Sequence, residues 1–507
     1  MHDILIPTID TVLVSLFLFC LCFLVPLLYW YSTRTFTYWK ERGVKHDPPL
    51  PGLGNNASQV FAKKSIAQVA ADLYRKYPDE KVVGFYRLTQ PELLIRDPEL
   101  IKCVMSKDFT HFYTRYHFGS ETGDQVEPLR RNLLIAEGDQ WRLLRQGCTP
   151  AFTIGKIKAM FPLVLERAEK LQELTLELSQ RGTPIDARNI TDRFTIDFIG
   201  ACGFGIASDA LNDDNSPFRK IGENMFHVGP REFFIYILKE FFPGKTPSLK
   251  YFGQYEEYTV HLVREIQKMR NYKPSGRHDF IDLLMEMKAK GTIEGESMER
   301  VKPDGTPERA TLELDDMIMA AQVFMFFGAG FETSSNSMSY TLHELAFNPE
   351  KQKKAQDNID RVLAKHGKLS WDAIKEMQYL EWTFKEGMRK FPAVGMLGRV
   401  CKRKYTFPGI NLTIDEGIRV RLSTQALHND PLYWHKPEEF RPERFSPEEY
   451  DEGRTKYVYL PFGVGPRACI GELIYSFLFY ISPHVCVDKF VMSYGILGDQ
   501  NCDYLRT

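Results

Sequence analysis

The chain has 507 residues, is 43% hydrophobic and 26% charged, and carries a formal net charge of −1. That composition excludes an intrinsically disordered chain, and the near-neutral balance leaves no electrostatic footprint for nucleic acid. Nine cysteines are scattered without a CxxC pair, which argues against a disulfide framework and fits a reducing compartment.

The N-terminus comes first and stands apart. Residues 11–33 contain no charged side chain and include the apolar run LVSLFLFCLCFLVPLLYWY. A helix of ~20 such residues spans a bilayer. Asp3 and Asp10 precede the run; Arg34, Lys40, Arg42 and Lys45 follow it. Positive charge gathers on the cytoplasmic side, so the body is expected in the cytosol. A cleaved signal peptide fits less well, because the run is long and no small-residue cleavage site follows. Residues 1–33 therefore read as a membrane anchor and 34–55 as a basic, proline-rich linker ending in DPPLPGLGN. Residues 56–507 form the body.

Within the body, apolar periodicity from about residue 66 to 200 is mostly helical, as in FPLVLERAEKLQELTLEL. Residues 270–310 are polar and rich in Lys, Gly, Pro and Glu, and read as a long surface connection. The stretch LELDDMIMAAQVFMFFGAGFETSSNSMSYTLHELAF predicts one long helix. Gln322, Gly328 and Gly330 interrupt its apolar centre, so it reads as a buried central helix rather than a second span. Strand-like runs such as VVGFYRL and GIRVRLS are few. The expected fold is mainly α with minor β.

Near the C-terminus, PFGVGPRACIG at 461–471 admits two functions. Gly463-x-Gly465-x-x-Ala468 matches the turn that cradles a dinucleotide pyrophosphate, with a possible strand before it, a helix after it and Asp488 at ribose-binding distance. Against this, Pro466 removes a backbone N–H, and only 36 residues remain for a fold that needs further βα units. The alternative is a thiolate socket, with Cys469 presented to a haem iron in a glycine-flanked loop. Taken alone, Cys469 would more often be a buried structural thiol.

Other stretches carry their own alternatives. Ala329 and Thr333 share a helical face at i, i+4, with Glu332 beside them. Small residue, acid and hydroxyl suit a diatomic ligand and its protons; alternatively Thr333 bonds back to a carbonyl. Glu386 and Arg389 at i, i+3 make an ordinary surface pair, unless Arg444 of FRPERF closes a buried network with them. Trp141 and Arg145 at i, i+4 present an indole N–H and a guanidinium together, as many surface pairs do. The HELAF stretch at His343 lacks the second histidine of a zinc site, and no GxSxG occurs.

In that order, WRLLR, AGFET, EGMR, FRPERF and FGVGPRACIG resemble the cytochrome P450 superfamily, over residues 141–471. The anchor and proline-rich elbow resemble its microsomal type. FFGAGFETSS and GRVCKRKY look most like the animal xenobiotic-metabolising branch, insect members in particular. The resemblance implies a P450 fold and haem b with Cys469 as the axial thiolate. It implies Trp141, Arg145, Arg399, Phe462 and Arg467 as haem-binding residues, with Arg115 a weaker candidate. It implies Glu332 and Thr333 as proton donors, and Glu386, Arg389 and Arg444 as a structural network. Pocket candidates are Phe112, Phe118, Phe324, Ala329, Phe331, Val394 and Leu397.

The implied reaction inserts one oxygen atom of O2 into a lipophilic small molecule. Electrons would come from NADPH through a separate cytochrome P450 reductase, with cytochrome b5 as a further partner, at the endoplasmic reticulum membrane. A thiolate-haem isomerase needs no reductase, and the Glu332-Thr333 pair argues against it. One departure stands out. The family follows CIG with a residue and then Arg, whereas here Glu472 is followed by Leu473 and Pro483. The tail, 473–507, is atypical, and a haem-poor inert variant is the alternative.

Overall fold

The computed structural model describes residues 9–487, apart from 116–126, 182–185, 207, 214, 226–228, 243–244 and 246–248. The first helix, α1 (Ile9–Thr33), exposes Phe23, Leu24, Val25, Leu27, Leu28, Tyr29 and Trp30. Its end meets the body, where the Tyr31 hydroxyl donates to Phe241 O at 3.2 Å. The linker is docked rather than free. Trp39 is fully buried, and its Nε1 donates to Phe85 O at 3.1 Å. Its ring lies on Gly84, where a Cβ would come within 2.5 Å of Trp39 Cγ.

The elements that position the site follow in chain order. They are β1 (Val82–Arg87), β2 (Gln90–Ile95), α2 (Gly138–Cys148), α3 (Ile154–Gln180), α4 (Ala187–Phe198), α5 (Pro230–Phe241) and α6 (Phe280–Ala289). Then come β3 (Thr292–Val301), β4 (Pro307–Glu313), α7 (Asp316–Phe347), α8 (Pro349–His366), α9 (Gln378–Lys390), β5 (Leu397–Val400), β6 (Arg419–Leu422) and α10 (Glu472–Val487). The protein is mostly helical with small sheets.

α7 organises the helical side. Asp315 caps it by accepting from Ile318 N–H at 2.6 Å. It meets the length and hydropathy of a membrane span, yet 61% of its most apolar window is buried. It is the core helix, packed against α4, α9 and α10.

The main sheet runs β1-β2-β6-β5. β1 and β2 form an antiparallel hairpin, β2 pairs β6 in parallel, and β5 closes antiparallel with Arg399 opposite Val420. Two buried acids tie this sheet to α5. Glu92 receives Arg421 at 2.9 Å and Arg419 at 3.1 Å, while Glu240 receives Arg419 at 2.9 Å and Arg87 at 3.0 Å.

Residues 270–310 are not the loose connection that their polarity suggested. They hold α6 and the β3–β4 hairpin, turning at Asp304-Gly305 with Gly305 at φ +83°. An Asp-Gly turn between alternating residues is a hairpin signal that bulk composition hides.

Candidate active site

The loop around Cys469 is shaped by its glycines. Gly465 has φ +79°, and a Cβ there would lie 2.0 Å from Met105 O. No other residue fits so close to a neighbouring backbone. Cys469 N–H donates to Phe462 O at 2.9 Å and Ala468 N–H to Gly465 O at 2.9 Å, closing the loop immediately before α10. No strand precedes it, since residues 453–460 are helical turn and coil. The strand-turn-helix unit of a dinucleotide site is therefore missing, and that reading is overturned.

Cys469 carries accessible surface although protein surrounds it. Burial raises its thiol pKa, while the Gly471 N–H, Arg115 and Arg145 pull the other way.

Four guanidiniums converge on this loop. Arg145 donates to Ala468 O at 2.9 Å, and Arg115 donates to Arg467 O. Arg467 is 2% exposed, donates through Nε to Tyr113 O at 3.0 Å, and lies 4.2 Å over the Trp141 ring. Arg399, equally buried, gives one bond to Gly398 O, and its Nε has no partner. Burial and Arg115 hold Arg399 down to about 9, and burial and Arg145 hold Arg115 down to about 10. Arg467 is depressed by burial and then by Arg115 and Arg399; Glu137 is the carboxylate acting on it. Since arginine does not shed its proton in proteins, these depressions measure electrostatic stress. An anion relieves it.

On α7, Ala329 is exposed within a mostly buried middle of the helix. The Thr333 hydroxyl donates to Ala329 O at 2.7 Å, the back-bonded geometry. Glu332 pairs with Arg188 at 2.8 Å and accepts from Asn336 at 3.2 Å. The Tyr475 hydroxyl donates to Thr333 O at 2.9 Å, joining α10 to this turn.

Behind the loop, Glu386 and Arg389 are fully buried. Arg389 donates to both oxygens of Glu386 at 2.7 and 2.9 Å, and Glu386 Oε1 also accepts from Arg444 Nε at 3.1 Å and from the Arg441 N–H at 3.0 Å. Helix α9 is thereby joined to the segment 434–445.

A sequence model of cytochrome P450 matches residues 45–474. The chain belongs to the cytochrome P450 family. It is 34% identical to cytochrome P450 6B2 of Helicoverpa armigera over 484 residues, 95% of this chain and 92% of the relative. It is 36% identical to cytochrome P450 6B1 of Papilio polyxenes, covering 93% and 92%. It is also 36% identical to cytochrome P450 6k1 of Blattella germanica, covering 88% and 86%. This P450 is a monooxygenase that uses haem iron with an axial cysteine thiolate.

The residues present fit haem. Arg115, Arg145, Arg399 and Arg467 form a donor set short of carboxylates, and the orphaned Nε–H of buried Arg399 marks a missing acceptor. Two propionates supply what that set needs. Phe462 faces Tyr475 edge-on with centroids 5.1 Å apart, at the base of the loop.

Some pocket residues need correction. Phe112 is fully buried in the sheet-side core, edge-on to Tyr405 at 4.8 Å. Phe324 and Phe331 are buried on the face of α7 opposite Ala329, because helical residues advance ~100° each. Phe324 packs on Phe252 at 5.2 Å and Phe331 on Phe327 at 5.5 Å. Ala329, Val394 and Leu397 keep accessible surface, Leu397 beside Gly463. Phe118 lies outside the described residues. Sequence reasoning missed Arg188, Tyr113 and Tyr475, which reach their partners across 142 to 354 residues (for Tyr475 and Tyr113) and carry no local motif.

Proposed function

We propose that this P450 is anchored in the endoplasmic reticulum membrane, faces the cytosol, and oxidises lipophilic small molecules with electrons from NADPH delivered by a reductase. Residues 1–33 serve as anchor, 34–55 as linker and 56–507 as haem domain, with 473–507 its atypical tail. At 25 residues α1 is long enough for ~30 Å of hydrocarbon at ~1.5 Å per residue. Its exposed Phe, Leu and Trp side chains support that placement. Cytochrome b5 is a further electron partner in this reading.

The observation that carries the site assignment is the exposed Cys469 in a loop held by Arg115 and Arg145, with Arg399 acting on Arg467 of the same loop. Cys469 ligates the iron. Arg115, Arg145, Arg399 and Arg467 hold the propionates, with Trp141 as the platform beneath Arg467. Haem bound through a thiolate supplies dioxygen activation, the sulfur favouring O–O cleavage. Ala329 leaves room for small ligands. Glu332 takes protons from solvent when it parts from Arg188, and Thr333 passes them on when its hydroxyl turns from Ala329 O. Val394 and Leu397, with Ala329, orient apolar substrates.

The test is the Soret band of the reduced, carbon-monoxide-treated protein in microsomes. A strongly red-shifted band supports the reading, and Cys469→Ala should abolish it while leaving membrane insertion intact. A neutral-ligand band in the parent protein would sink it.

A second reading has its own observation. The family match stops at residue 474, and Leu473, where the family carries Arg, is 49% exposed. A tail that packs differently would hold haem poorly and leave an inert variant. That reading predicts a thiolate band that is weak from the start and decays on standing.

A further inference from the structure

We propose that the β3–β4 hairpin clamps the haem edge, with Glu299 as a positioning residue for Trp141, Arg145 and Arg467. The inference rests on the assignment of those three residues to the haem propionates.

The hairpin ladder breaks between Glu296↔Arg309 and Val301↔Pro307. Residues 297–300 therefore bulge out of the ladder opposite a single residue, Glu308. The bulge folds onto the start of α2. Ser297 Oγ accepts from Glu299 N–H at 3.1 Å and Arg300 N–H at 2.8 Å, and donates to Asp139 Oδ2 at 2.7 Å. Met298 N–H donates to Asp139 Oδ1 at 2.6 Å. Both oxygens of Asp139, in the first turn of α2, are thus held by the hairpin. One turn on, Arg142 pairs with Glu296 at 3.0 Å.

Glu299 makes the closest approach. Its carboxylate lies against Gly138, the first residue of α2, where φ is +50° and a Cβ would fall 2.2 Å from Glu299 Cδ. Glycine is required there on both counts. A negative charge at this end also suits the helix dipole. The same carboxylate accepts from the Tyr113 hydroxyl at 3.0 Å. Tyr113 is buried, and its carbonyl accepts from Arg467 Nε at 3.0 Å. Arg467 returns to α2 by stacking 4.2 Å over Trp141. A closed circuit results: hairpin bulge, Tyr113, Arg467, Trp141, the start of α2, and the bulge again. Every link is a direct contact, so losing Glu299 uncouples Tyr113 from the start of α2 and opens the circuit.

The experiment uses the holoenzyme and follows haem transfer to excess apomyoglobin by its Soret change. Glu299→Ala and Tyr113→Phe should each speed haem loss about fivefold, the effect of one net hydrogen bond. The double variant should be no faster than either alone, because both break one circuit. Glu299→Gln keeps an acceptor oxygen and should return haem loss to within about twofold of the parent. Glu294→Ala, on the same hairpin but paired with exposed Arg309, should leave the rate unchanged. Parental haem loss in Glu299→Ala, or additive effects in the double variant, would overturn the proposal. If Glu299→Ala does not fold, Tyr113→Phe decides by the same threshold. Trp141→Ala tests the assignment beneath. If it leaves haem loss unchanged, that assignment fails and the clamp with it; if it speeds loss while Glu299→Ala does not, the clamp alone fails.

Discussion

Replacing Glu386 with Gln should remove much of the stability of this P450. Glu386 is fully buried and accepts four hydrogen bonds, two from Arg389, one from Arg444 and one from the Arg441 N–H. Glutamine keeps the shape, loses the charge, and turns an N–H2 group toward guanidinium N–H donors. Two buried cations are then left without a counter-charge. Breaking a buried pair from one side costs ~3–5 kcal/mol, against ~5–15 kcal/mol for a whole domain. The assay is urea unfolding of the holoenzyme, followed by tryptophan fluorescence and by the thiolate Soret band. Both transitions should move to lower urea together, since Arg389 also holds His428 O and Pro437 O at 2.8 Å and so organises the segment behind the cysteine loop. Glu381→Gln is the control, because its pair with Lys385 is more than a third exposed on both sides and is worth less than ~1 kcal/mol. A Glu386→Gln protein within ~1 kcal/mol of the parent would refute the reasoning, because it would mean that the two arginines do not need the charge.

The glycines of the cysteine loop should separate sharply. Gly465→Ala meets Met105 O at 2.0 Å and should cost the thiolate band, whereas Gly471→Ala finds its nearest atoms at 4.0 Å and should keep it. Arg399→Met should act with opposite signs: the haem-stripped chain holds its stability to urea, because a stressed guanidinium is gone, while haem transfer to apomyoglobin quickens. A fall in both would argue against a propionate role. For Glu92, burial alone would raise the pKa, but Arg421, Arg87 and Arg419 outweigh it and hold the group at about 2, against 4.5 ordinarily. Its stabilisation, about 3 kcal/mol in order of magnitude, is present above pH ~4.5 and is lost as pH falls toward 2. Glu92→Gln should therefore flatten the pH dependence of thermal stability in that window; an unchanged slope would refute the assignment. Arg188→Ala frees Glu332 from its 2.8 Å partner and should alter the solvent isotope effect on NADPH-driven turnover, with the reduced-CO band unmoved.

Residue type and spacing along a single element were enough to pick out the cysteine loop, the Ala329–Thr333 face and the Glu386–Arg389 pair, because local geometry alone brings those groups together. The same local logic misled where facing mattered. Phe324 and Phe331 stand on the side of α7 away from Ala329, and an aromatic near a motif says nothing about which side it takes. Phe112 went to the sheet-side core for the same reason. Residues 270–310 were read by their polarity, which cannot distinguish a solvated loop from a hairpin lying on a neighbouring helix.

By itself, then, the sequence determined the family, the haem-thiolate chemistry and the order of the chemical stretches along the chain. Tertiary structure alone gave the electrostatic cost of bringing together the cations that the resemblance had grouped: Arg115, Arg145, Arg399 and Arg467 come from separate segments, and their mutual stress exists only once the chain has folded. It also decided that Arg188 holds Glu332 and that the hairpin bulge sits on α2. Hydrogen bonds and charges act over a few ångströms, and at that range a partner hundreds of residues away in sequence leaves no trace in the stretch it completes.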